Sequence, residues 1–182
     1  MGQKIGKASF EEDAKPFCNL PAPAINAVWT AFNLSAEAWG LREAAFLEVC
    51  APLAPHMGLD PAALQEKAAA LFILLDDDVN GVVDALEFMA TLAMMSAMEV
   101  SDKLRFVYTA YDFSECGSLL VDEITLAIKS TVSGLCKLTK LGSNAPTVKA
   151  CETMARLAFV ANGAQVNVHA TLDHRSLRRS LG

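Results

Sequence analysis

Asp76-Asp77-Asp78-Val79-Asn80-Gly81-Val82-Val83-Asp84-Ala85-Leu86-Glu87 is the stretch that decides the reading of this chain. Five carboxylates fall in these twelve residues with no cation among them, so the segment repels itself unless a positive charge sits inside it. Oxygen-bearing side chains recur at positions 1, 3, 5, 9 and 12, with glycine at 6 and an apolar residue at 8. That is the spacing of a loop that wraps a hard divalent cation. Asp76, Asp78 and Asn80 would offer side-chain oxygens, Val82 its backbone carbonyl, Asp84 an oxygen directly or through water, and Glu87 both carboxylate oxygens. Gly81 permits the sharp turn, and Asp77 deepens the negative field without being a ligand. Ca²⁺ is the ion expected, with Mg²⁺ as the smaller alternative.

A second, poorer copy begins 36 residues later, at Asp112-Phe113-Ser114-Glu115-Cys116-Gly117-Ser118-Leu119-Leu120-Val121-Asp122-Glu123. Asp112, Ser114, the Ser118 carbonyl and Glu123 are suitable ligands in register. Cys116 at position 5 is a soft donor badly matched to calcium, and Leu120 at position 9 offers nothing. Two ligand carboxylates in place of four imply a weaker site. Tyr108 and Tyr111 precede this loop as Phe72 and Leu75 precede the first.

Two more units lack ligands. Ile25, Val28, Trp29 and Phe32 recur at helical spacing after Pro21 and Pro23. A loop over 33–45 follows and then a helix through Phe46, Val49 and Cys50. Leu41 takes the place of Val83, and Ala45 replaces the closing Glu, so this loop is expected to be structural only. Near the other end, a helix from about Thr147 to Val160 leads into a loop over 160–172 that has lost its acids, and then a basic final helix from about Ala170. Either Val166 or Val168 could fill position 8 there. Between these units, Asp60-Pro61 starts the helix entering the first acidic loop, and the helix leaving it runs from about Ala85 to Ala97.

Composition bounds the rest. At 182 residues and 53% apolar, the chain can bury a sizeable core, and a net charge of −6 gives no basic surface for nucleic acid. The five cysteines are scattered, with no CxxC, and are expected to be reduced thiols in the cytoplasm. His56, His169 and His174 make no zinc spacing. There is no G-x-S-x-G, no P-loop and no G-x-G-x-x-G, so an enzyme has no residues to rest on. The start, Met-Gly-Gln-Lys-Ile-Gly-Lys, is compatible with myristoylation of Gly2, although Gly6 stands where Ser or Thr is usual. One such chain with Lys4, Lys7 and Lys15 would give only weak membrane contact. Met89, Met94, Met95 and Met98 on the helix behind the first loop suit either an ordinary core or a groove that opens on ion binding.

From about Pro21 onward the chain resembles the EF-hand (calmodulin) superfamily. Its pattern is most similar to the branch holding the neuronal calcium sensors, calaxin and calcineurin B, on the disabled first loop, the central loops in register and the candidate Gly2 lipid site. The resemblance implies an all-α fold of four helix-loop-helix units, two of them degenerate, with position-8 residues pairing in short antiparallel ribbons. Two lobes would follow, 21–99 and 100–182, after an N-terminal tail of residues 1–20. The loop carrying Leu41 would pair with that carrying Val83, and Leu119 with the remnant near Val166. The implied role is a calcium sensor or adaptor that binds a helix of a target protein in an apolar groove. The competing expectation is a structural subunit of a larger cytoskeletal, ciliary or axonemal assembly.

Overall fold

A computed structural model of the chain describes residues 9–35, 39–115, 117–139, 141, 145–161 and 171–173. In chain order these form α1 (Ala22–Ser35), β1 (Gly40–Leu41), α2 (Glu43–Cys50), the short α3 (Ala54–Met57), α4 (Pro61–Leu75), β2 (Val83–Asp84), α5 (Ala85–Met95), α6 (Val100–Tyr111), β3 (Ser118–Leu120), α7 (Val121–Leu138), α8 (Val148–Ala161) and β4 (Thr171–Asp173). The fold among these residues is predominantly α-helical, with strands of two or three residues.

Local chemistry sets the helix ends around the first acidic loop. Asp60 caps α4 by accepting from the Ala63 N–H at 2.9 Å, and Pro61 supplies the first helical φ. Asp84 caps α5 in the same way, accepting from the Glu87 N–H at 2.8 Å. The stretch Asp76–Asp84 therefore joins two helices whose N-termini are each capped by an aspartate.

The strands make two ribbons. β1 pairs antiparallel with β2, placing Leu41 opposite Val83. β3 pairs antiparallel with β4, placing Leu119 opposite Leu172. The first register is the one expected. The second corrects the expectation, because Leu172 takes the place assigned to Val166 or Val168, and a strand stands where a final helix was to begin near Ala170. Alternating valines made Val166 and Val168 look like strand positions; the backbone pairing selects a residue four to six places further on.

α5 sits at the centre. Every residue from Ala85 to Ala93 is buried, and the helix serves two cores. Phe88, Met89 and Leu92 face a core with Phe17, Val28, Phe46, Leu71 and Leu75. Leu86 and Ala90 face a second with Tyr111, Leu119, Ile124 and Phe159. Burying each large apolar side chain contributes about 1.5–3 kcal/mol. Phe46 packs on Phe88 with ring centroids 4.6 Å apart, so the ligand-poor first unit and the helix behind the acidic loop share one core. α7 lies along α5, and Gly134 makes that approach close: a Cβ there would fall 2.0 Å from Thr91 Oγ1. Leu138, at the end of α7, reaches the first core. The helices of the two expected lobes thus interlock across α5 and α7, and separate lobes are not distinguished.

Residues 10–20, read from the sequence as part of a tail, pack onto this body. Phe17 and Ala14 are fully buried. Phe10 bridges to Thr139, and the Glu11 N–H donates to the Leu138 carbonyl at 2.9 Å. The Asn19 N–H donates to the Met95 carbonyl at 2.8 Å. The methionines behind the loop follow suit: Met89 and Met95 are core, and Met94 and Met98 are half-buried.

Candidate functional site

The two acidic loops adopt one backbone pattern. Position 4 is left-handed in both, at Val79 (φ 56°) and Glu115 (φ 53°). Position 6 is left-handed in both, at Gly81 (φ 77°) and Gly117 (φ 72°), where glycine alone avoids a steric cost. In the first loop Asp76 organises this turn. Its Oδ1 accepts from the Asn80 N–H and its Oδ2 from the Gly81 N–H, both at 3.0 Å. Asn80 Nδ2 donates to Asp78 Oδ2 at 2.8 Å, and Asn80 Oδ1 accepts from the Val82 N–H at 2.8 Å. In the second loop Asp112 Oδ2 accepts from the Gly117 N–H at 2.7 Å, and Ser114 Oγ donates to Asp112 Oδ1 at 3.2 Å. The Tyr108 hydroxyl closes that loop by donating to the Gly117 carbonyl at 2.9 Å.

The closing glutamates are engaged elsewhere. Glu123 Oε2 accepts from the Leu120 N–H at 2.7 Å. Glu87 is buried, and its Oε1 lies 2.7 Å from Lys137 Nζ, an approach off the ideal hydrogen-bond angle that we count as an ion pair. The same ammonium lies 3.0 Å from Asp77 Oδ1 and donates to the Leu75 carbonyl at 2.8 Å. An ammonium has three N–H donors, and three acceptors surround this one. Burial works against the Lys137 charge, but bonding and attraction from Glu87 and Asp77 outweigh it and raise its pKa above the usual lysine value.

The donor types at Asp76, Asp78, Asn80, Asp84 and Glu87 fit a hard divalent cation, and the left-handed Gly81 gives the turn such a loop needs. In this conformation, however, no three His, Cys, Asp or Glu side chains among the described residues converge on one point. Gly2, Cys116 and most of the 160–172 loop lie outside the described residues. Lys137 is the residue that sequence reasoning missed at this site. By its own sequence surroundings it is only a cation near a helix C-terminus, and nothing local marks a partner 62 residues away.

Beside the second loop is a cleft of about 650 Å³. Trp29, Trp39 and Phe113 line it together with Asp112 and Glu115. The aromatic rings run as a chain, Trp29 to Phe32 to Trp39 to Phe113, at centroid spacings of 5.8, 5.2 and 6.0 Å. Trp39 and Phe113 are each about half exposed. No helix among the described residues is long and apolar enough to cross a membrane.

Comparison with known proteins gives distant relatives. The chain is 36% identical over 63 residues to calcium-binding protein J of Dictyostelium discoideum, a stretch covering 35% of this chain and 32% of that protein. It is 34% identical over 62 residues to calcium-binding protein K of the same organism, covering 34% of this chain and 32% of the relative. The match thus spans about a third of each relative's length. No family model matches the chain. This partial similarity and the helical fold support the broad calcium-binding, EF-hand class and do not reach a particular branch of it.

Proposed function

We propose that the chain is an EF-hand calcium-binding adaptor that takes one ion in the Asp76–Glu87 loop and binds a target protein through an apolar surface. The observation that carries this reading is the juxtaposition of a complete oxygen-donor set with the ribbon that places Val83, at position 8, opposite Leu41. A solvated acidic loop accounts for neither the left-handed Gly81 nor the partnered strand. The names of the two relatives, both calcium-binding proteins, favour the same ion. Asp76, Asp78, Asn80, Asp84, Glu87 and the Val82 carbonyl would hold it, and the ion would supply the positive charge that this loop otherwise lacks within itself. The Asp112–Glu123 loop would bind more weakly. The partner is proposed to be a helix or a larger assembly, with the Trp39–Phe113 cleft as the apolar surface it meets.

Calorimetric titration of the whole chain with calcium tests this reading. Wild type is expected to bind one ion more tightly than any other, and Glu87→Gln to lose that event while keeping its helical spectrum. Absence of any binding to wild type and variants alike overturns it. A second reading, a scaffold subunit whose shape does not depend on the ion, is favoured by the buried Met89 and Met95 and by the close α5–α7 crossing. An apolar dye separates the two: calcium-dependent dye binding supports the sensor, and ion binding without it supports the scaffold.

A further inference from the structure

We propose that Lys137 is a built-in competitor for the first loop, a tethered ammonium that holds Glu87 until a divalent ion displaces it. The inference rests on the reading of Asp76–Glu87 as a calcium loop. The closing Glu of such a loop gives both oxygens to the ion. Here one of those oxygens is 2.7 Å from the part-buried Lys137 Nζ, and Glu87, on which the loop closes, is itself buried. The ammonium also grips the loop's Asp77 and the Leu75 carbonyl, the last residue of the entering helix. It therefore touches both ends of the loop at once, from a helix that contributes no ligand to this loop. A divalent ion and this ammonium cannot share Glu87 without like charges meeting in a part-buried site.

Two consequences follow. Apparent affinity for the ion is the intrinsic affinity reduced by the fraction of molecules in which Glu87 is free. Ion binding also has a mechanical output, because releasing Lys137 unfastens the last turn of α7. That turn holds Leu138 in the first core and, through the Leu138 carbonyl and Thr139, the segment at Phe10 and Glu11. The ion is thus linked to the α7 end and the segment at Phe10 and Glu11 by one displaced side chain.

The test is calcium titration of the full chain by calorimetry for wild type, Lys137→Met, Lys137→Arg and Lys129→Gln. Lys129 is an exposed cation on the same helix and controls for net charge. Lys137→Met is expected to bind calcium at least about tenfold more tightly, the scale of freeing Glu87 from one part-buried ion pair. Lys137→Arg and Lys129→Gln are expected to stay within about twofold of wild type. Equal affinities for wild type and Lys137→Met overturn the competitor and leave the calcium loop standing. No binding in any variant overturns both. Should Lys137→Met fail to fold, hydrogen exchange of wild type decides. Calcium is expected to slow exchange over 76–87 and to speed it at Glu11 and over 135–139; unchanged exchange at the α7 end overturns the proposal.

Discussion

Gly134→Ala probes the contact that locks α7 onto α5, and its sign separates two accounts of the fold. At an open position in a helix, Gly→Ala stabilises by about 1 kcal/mol because the unfolded chain loses freedom. Gly134 is not open. The new methyl would lie 2.0 Å from Thr91 Oγ1 and 3.1 Å from both Thr91 Cβ and Glu87 Cγ. Thr91 is buried and β-branched, so its χ1 is stiff and it has little space to turn into. Overpacking of this kind costs about 1–3 kcal/mol, which outweighs the propensity gain. A net loss of about 1–2 kcal/mol is expected, read as a urea midpoint lowered by about 0.5–1 M at an unchanged slope. The Thr91 hydroxyl has no hydrogen-bond partner among the described residues, so Thr91→Ala strands no polar group. In that background Gly134→Ala should recover at least about 1 kcal/mol. A Gly134→Ala chain more stable than wild type, or one equally destabilised in both backgrounds, refutes the close crossing of α5 and α7.

Val79 is a β-branched residue held at φ 56° with its side chain in solvent, so Val79→Asn should relieve strain without losing packing. A gain of about 0.5–1 kcal/mol, or roughly 1–4 °C in Tm, is expected by calorimetric melting. Burial pushes the Cys50 thiol far above its ordinary value of 9.0. The unfolded chain gives up that proton first, so the stability it contributes is full below pH 9 and is lost as pH rises towards the folded value. Urea midpoints measured from pH 8 to 10.5 should fall less steeply in Cys50→Ala than in wild type, and a thiol reagent at pH 8 should modify half-buried Cys18 well before Cys50.

The helices around the acidic loop were legible because local chemistry makes them. Asp60-Pro61 and Asp84 start helices wherever the chain places them, since a cap needs only residues three positions away. The pairing of Leu41 with Val83 was also legible, because two loops of one outline present their apolar position at the same point. The fourth unit was not, since 160–172 has neither acids nor a glycine in register to fix its frame, and only backbone pairing identified Leu172.

The order of residues alone shows that Asp76–Glu87 gathers more negative charge than a short segment can hold unaided. Twelve residues suffice for that conclusion, because spacing along the chain fixes which oxygens share a turn. Where a balancing charge is found depends on how the helices pack. Lys137 reaches Glu87 because Gly134 lets α7 lie against α5, and a contact made across two packed helices leaves no trace in either helix's own pattern. The same is true of Phe17 and Met89, whose burial comes from neighbours far along the chain rather than from their own periodicity.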